Sequence, residues 1–413
     1  MVIPRLSHNI MALAAVQAGN LLVPMLALPY LARVLGAESY GQVVWVQTIM
    51  LFGTIWIDFG FGWSATRAIS THRNNPSYVA HLFADTWAVQ WVLAVLFAVA
   101  TLISVCAFVE VNSTLHLYLV GLGIVFGQVL LPMWLFQGLE ALREIAIIQL
   151  LGKLVTLPLV FFWVTDARDV LGAMMFFSAS ALITGGASLA WIYHRQLVRM
   201  VKPEFGGMRR ALLSGAMLFS SRALISLYTT LVPLAVGYWA GATQLGYFNL
   251  ADKLRTVVQT LLAPVSQALF PRMSWLFQND ASRAYDLARK FGVGLTVVSG
   301  LAGLILIVSA DSLMVLLGGA DFSHGSDVLR WLAFVPAVVV LSNLMGVQIM
   351  LPRGLNQPFT IILALASVLS LLGLYPMVNH GQAIGAAQLV FAVECFVTGS
   401  MAVYLWWLGP FAE

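Results

Sequence analysis

Residues 87–109 read WAVQWVLAVLFAVATLISVCAFV, and none of them is charged. A run of about 20 such residues forms a helix roughly 30 Å long, the thickness of a bilayer's hydrocarbon core. In lipid every backbone N–H and C=O must be paired within the protein, so only helices and closed barrels span it. Barrel strands alternate apolar and polar residues over about ten positions, and this run does not alternate. The rest of the chain agrees. Of 413 residues, 60% are hydrophobic and 9% are charged, where a soluble domain keeps about 25% charged. The chain reads as an all-α integral membrane protein.

Apolar runs near 9–31, 43–63, 81–108, 115–137, 145–164, 170–193, 212–237, 246–271, 291–310, 328–351, 358–378 and 382–408 give about twelve spans. The first run is long and becomes a span rather than a cleaved leader. Linker charges set the orientation by the positive-inside rule. With both termini in the cytoplasm, inner linkers carry Arg67, Arg73, Arg195, Arg199, Lys202, Arg209, Arg210, Arg272, Arg283, Arg289 and Lys290, among others. Outer linkers carry only Arg33, Arg168 and Arg330. The net charge of +4 is therefore mostly a topology signal, and nucleic acid is not an expected partner.

A short motif repeats. Gly36-Ala37-x-x-Tyr40-Gly41 is echoed by Gly241-Ala242-x-x-Leu245-Gly246, an offset of 205 residues from Gly36 to Gly241. Both stand between the first and second spans of their own half. A weaker echo pairs Gly138-Leu139 with Gly354-Leu355. The expected organisation is an N-terminal six-helix bundle (1–193), a basic cytoplasmic linker (194–211) and a C-terminal six-helix bundle (212–413). Transporters are often built from such repeats, with the substrate site between them.

Ionisable groups inside spans are costly and tend to face a partner or a wet cavity. Arg222 lies in span seven, Asp252, Lys253 and Arg255 in span eight, and Glu394 in span twelve. Asp58 and Asp85 lie nearer the inner ends of spans two and three. Structural readings stand beside functional ones. Asp252 and Arg255, three apart on a helix, can pair, and Asp58 and Asp85 can be hydrated or paired with Arg67 or Arg73. In the functional reading, Arg222, Lys253 and Arg255 bind an anion such as a pyrophosphate. Asp58, Asp85 and Glu394 are then candidates for coupling to H+ or Na+. The spans also hold many amides, among them Gln90, Gln137, Asn249, Gln259, Asn343 and Gln348. Interhelical hydrogen bonding accounts for most of these, and a subset lining a cavity would suit a hydroxyl-rich substrate.

Other chemistry is missing. IDFGFG (57–62) lacks the surroundings of a kinase site and reads as a helix end. The seven histidines have no metal-ligand spacing, and DARD (166–169) is a poor acidic metal pair. No phosphate loop appears, and no cofactor is called for. No linker is long enough for the catalytic domain of a glycosyltransferase or polymerase, so an enzyme is not expected. Cys106 and Cys395 fall in apolar runs and read as buried small hydrophobes. QNDASRAYDLARKFG (278–292) reads either as a surface amphipathic helix or as an extension of the following span.

LPYLARVLGAESYGQVVW (28–45), IDFGFGWSATRAIS (57–70) and PMWLFQGLEALREIAI (132–147) resemble the bacterial polysaccharide flippases of the Wzx type, in the MOP superfamily. GATQLGYFNLADKL (241–254) and APVSQALFPRMS (263–274) extend the resemblance to the second half. It implies two six-helix bundles in the bacterial inner membrane. They would move an undecaprenyl-pyrophosphate-linked oligosaccharide to the outer leaflet by alternating access, for O-antigen or exopolysaccharide synthesis. The implied partners are membrane lipid, the lipid-linked oligosaccharide, a polysaccharide polymerase and a chain-length regulator. The alternatives are a cation-coupled drug or metabolite exporter on the same fold, or a membrane polymerase or glycosyltransferase.

Overall fold

The computed structural model describes the backbone of residues 4–108 and 111–409. Side chains of residues 4–25, 108, 111–114, 217–218, 220–230, 263–265, 267–268 and 271 lie outside the described residues. Every regular element among the described residues is a helix, and 8 of them are long and apolar enough to cross a membrane. Leu96, Ile103, Phe162, Leu301, Ile305 and Trp406 are exposed on their surfaces. Large apolar side chains in such number on an outer surface belong against lipid tails, and the chain is a multi-pass membrane protein.

The chain divides into two compact units. The first takes residues 1–35 and 42–223. It holds most of α1 (Pro4–Asp58), then α2 (Phe61–His72), α3 (Pro76–Phe108), α4 (Val111–Val129), α5 (Met133–Gly138), α6 (Leu142–Trp163), α7 (Val170–His194) and the start of α8 (Phe205–Ala235). The helix end expected at IDFGFG is present: Phe59 and Gly60, with φ of 39° and 78°, break the helix between α1 and α2. Small residues let α4, α6 and α7 approach closely, Gly127 lying against Ala181 and Gly185 against the Gly127 carbonyl. Pro132 ends α4, and Trp87 Nε1 donates to the Val129 carbonyl at 3.0 Å. That bond satisfies an acceptor that helix termination leaves without an intrahelical partner. Trp134, fully buried beside Phe83, donates to Gln90 at 3.2 Å.

The second unit takes residues 36–41 and everything from Leu224. It holds the end of α8, then α9 (Ala242–Asn279), α10 (Ala281–Val308), α11 (Ala310–Gly318), α12 (Ser326–Leu332), α13 (Val335–Asn343) and α14 (Asn356–Leu408). π turns occupy Val236–Ala240 and Leu344–Met350, and a 3-10 turn occupies Ala320–Gly325. α14 is two helices joined across Gln382, whose φ of 51° is not helical.

The repeated motif has one conformation in both copies. Gly36 breaks α1 with φ 71° and ψ 174°, and Gly241 precedes α9 with φ 88° and ψ 173°. An L-residue resists that φ, which accounts for glycine in both. The copies also pack on each other reciprocally. A methyl group added at Gly41 would collide with the Ala242 carbonyl, and one added at Gly246 would lie 2.5 Å from the Ala37 carbonyl oxygen. Tyr40 donates to Asn249 at 2.8 Å and meets Phe322 edge-on. The motif is thus a turn used twice and the seat of its own pair.

Three readings need correction or a choice. In the weaker echo the matching letters are out of register. The shared conformation joins Glu140 (φ 59°) to Gly354 (φ 76°), and Ala141 and Leu355 each donate to a carbonyl five residues back. Cys106 is exposed and Cys395 only partly covered, because a membrane helix has an apolar outside as well as an apolar inside. Residues 281–292 continue into α10 without a break, which is the extension reading, and Asp280 caps them by accepting from the Arg283 N–H at 3.1 Å.

Candidate functional site

The charged residues of α9 gather in the second unit. Their three-residue spacing puts Asp252 and Arg255 on one face, and the guanidinium takes the carboxylate with Nη2 at 2.6 Å and Nε at 2.8 Å. Its Nη1 donates to Gln259 at 3.2 Å, one helical turn further on. Side-chain exposures of 17% for Arg255 and 28% for Asp252 leave the pair mostly desolvated. Glu394 of α14 faces the same cavity as Arg255. Asp252, Arg255, Ser370 and Glu394 line one small cavity, closed by Val232, Phe248 and Val393.

That cavity has a volume of about 90 Å³. It has room for a few waters, or for a cation with part of its shell. It is too small for a pyrophosphate carrying a sugar. Two carboxylates face one guanidinium, so the cluster has one formal negative charge when all three are ionised. Such a site can trade a cation at Glu394 against the hold on Arg255.

The other predicted residues are dispersed. Lys253 is exposed and lines neither this cavity nor the larger one described below. Arg222 is on α8, but its side chain lies outside the described residues. Asp58 accepts from the Gly62 N–H at 3.2 Å across the α1–α2 break. Asp85 is buried and accepts from the Glu204 N–H at 2.7 Å, with its other oxygen pressed against Gly207. It thereby receives a free donor at the start of α8, which is what a helix cap does. In DARD, Asp169 accepts from the N–H groups of Thr165 and Asp166 at 2.8 and 2.9 Å and precedes α7. Those bonds hold its carboxyl below the usual range.

The sequence could not select among its amides. Gln90, Gln137 and Gln348 take part in bonds between helices, as expected of most. The partnership of Gln259 with Arg255 follows from a four-residue helical spacing.

Residues 6–277 match the polysaccharide biosynthesis protein family. A protein of Escherichia coli K12 named "Putative O-antigen transporter" is 32% identical over 404 residues, covering 97% of this chain and 96% of its own. A Shigella dysenteriae protein of the same name is 25% identical over 393 residues, covering 95% and 98%. Among solved structures, the lipid II flippase MurJ in an inward closed conformation superposes with a TM-score of 0.75 at 10% identity, over 96% of this chain and 87% of that one. An inward-facing multidrug resistance MATE family transporter of the MOP superfamily gives 0.70 at 13% identity, over 95% and 97%. Those identities speak to the fold alone, which is that of MurJ and the MATE transporters. The chain belongs to the polysaccharide biosynthesis protein family.

Proposed function

We propose that this protein is a flippase for undecaprenyl-pyrophosphate-linked oligosaccharide repeat units in the bacterial inner membrane. The observation that carries the reading is similarity along nearly the whole chain to two proteins named for O-antigen transport. The protein works by alternating access with twelve spans and both termini in the cytoplasm. The breaks at Gly36 and Gln382, which divide two of the longest helices, support that count. It is a transporter rather than an enzyme and needs no cofactor, and it hands its product to a polymerase and a chain-length regulator.

The charged cluster supplies the coupling. Asp252 and Glu394 hold Arg255 while both are ionised. A proton or Na+ at Glu394 removes one negative charge and strengthens the attraction of Arg255 for the substrate's pyrophosphate, with Lys253 and Arg222 as separate anion-binding candidates. Cation and anion binding are then linked with positive sign, and each raises the affinity for the other by the same factor. Asp58 and Asp85 are weaker coupling candidates, since backbone N–H groups already engage their carboxylates.

Deletion of the gene tests the reading, with the surface polysaccharide run on a gel and lipid-linked units in spheroplasts assigned to a leaflet. Loss of polymer with complete units held on the inner leaflet is expected. Complete units on the outer leaflet would indicate a polymerase. Unchanged polymer, in a strain with no second transporter, would indicate a drug or metabolite exporter.

A further inference from the structure

A cavity of about 590 Å³ lies in the second unit between α9, α10, α13 and the π turn at 344–350. That is within the range of roughly 300–1,000 Å³ typical of ligand pockets. Among the described residues no ionisable side chain lines it, and its polar lining is hydroxyls and amides, including Gln259, Asn343 and Gln348. The remainder is leucine, valine, proline and phenylalanine side chains.

Two of the three amides have hydrogen-bonding capacity open to the cavity, and the third braces its wall. Gln348 is 2% exposed and its Nε2 donates to the carbonyl and hydroxyl of Ser266, at 2.9 and 3.0 Å. Its Oε1 accepts nothing among the described residues and is closed off from the cavity interior, so Gln348 fixes the wall through Ser266 rather than offering that oxygen to a ligand. Gln259 accepts from Arg255 through Oε1, which leaves its amide hydrogens as donors. Asn343 is exposed on the cavity wall, and nothing among the described residues bonds its side chain. Asn343 and Gln348 are five residues apart, about 140° around an ordinary α-helix. The π turn brings both to one wall, with the Leu351 N–H bonded to the Gly346 carbonyl five residues back at 3.0 Å. Single π turns recur at functional sites in helices.

The exposed Asn343 amide and the free amide hydrogens of Gln259, on an uncharged wall, match hydroxyl groups, which both give and accept. The apolar wall matches the C–H faces of a sugar ring. A phosphate would find no cation here, and a prenyl chain would leave the amides unpaired. We propose that this cavity is a sugar subsite for a neutral, hydroxyl-rich ring of the lipid-linked oligosaccharide. The proposal rests on the flippase reading and deepens it. Gln259 joins the sugar subsite to the charged cluster, because Arg255 donates to it.

The test uses the full chain in proteoliposomes prepared without sugar detergents. A single cysteine at Val340→Cys, in a Cys106→Ser and Cys395→Ser background, reports access to the cavity through its rate of maleimide labelling. The probes are lipid-linked repeat units extracted from the host and undecaprenyl pyrophosphate alone, with translocation of the repeat units followed in the same vesicles. Slower labelling with repeat units, but not with the bare carrier, is expected. Asn343→Ala should weaken that protection about fivefold, the value of one hydrogen bond. Equal protection by both probes would place the prenyl chain in the cavity and overturn the proposal. No protection in vesicles that translocate would overturn it while the flippase reading stands. No protection and no translocation would overturn both.

Discussion

Replacing Gly246 by alanine sets two effects of known size against each other. Gly246 is inside α9, where alanine is favoured over glycine by about 1 kcal/mol. The new methyl group would lie 2.5 Å from the Ala37 carbonyl oxygen, whereas ordinary contact begins at 3.4 Å. A backbone atom must therefore retreat by about 0.9 Å, the difference between those distances. Overpacking of this kind costs about 1–3 kcal/mol, and a backbone neighbour, unlike a flexible side-chain tip, puts the cost at the upper end. The clash wins, and a net loss of about 2 kcal/mol is expected. For a unit of this size that lowers the melting temperature by about 4–8 °C. Gly300→Ala is the matched control: it lies within α10, and an added methyl group there would meet nothing within 4 Å. It gains the propensity without the clash and should melt about 2–4 °C above the parent. The assay is thermal unfolding of both purified variants in one detergent, followed by fluorescence-detected size exclusion. A Gly246→Ala protein that melts with or above Gly300→Ala would refute the reciprocal seat. Gly41→Ala should lose more, because its methyl group collides with the Ala242 carbonyl more closely.

Three further outcomes are expected. Arg255→Gln should destabilise by about 3 kcal/mol, since it leaves the mostly desolvated Asp252 carboxylate without its cation, and Asp252→Asn by less, because Glu394 still lines the cavity with Arg255; the double variant should lose less than the sum of the two in a thermal double-mutant cycle, and additive losses would exclude the pairing. Asp85→Ala should cost about 1–2 kcal/mol as a lost helix cap and should speed protease cutting in 194–204, and Gly207→Ala should do the same by displacing the carboxylate. Asp169 has a folded-state pKa below its unfolded value, so its contribution is present above the ordinary aspartate range and is lost as pH falls through the folded value; the gap in melting temperature between the parent and Asp169→Asn should narrow steadily as the pH is lowered below about 4, and a gap unchanged on acidification would count against the assignment.

The sequence by itself determined the membrane class, because an uncharged run such as 87–109 has one stable form in lipid, a helix with its backbone paired internally. It also determined the main repeat. The φ near +70° to +90° at Gly36 and Gly241 constrains residue type, so the conformation is written in the letters. The 140/354 equivalence escaped the letters because Glu140 takes, without being glycine, the conformation that Gly354 takes. The Asp252–Arg255 pairing was legible as one of two readings, since helix geometry fixes what a three-residue spacing can reach. Only the tertiary structure added Glu394 to that pair, and only it separated Asp85, which caps α8, from the other acids. Gln259, Asn343 and Gln348 were visible among many amides, but which of them share a cavity depends on how helices far apart in sequence turn toward each other. The π turn at 344–350 shifts that rotation, and nothing in the local sequence announces it.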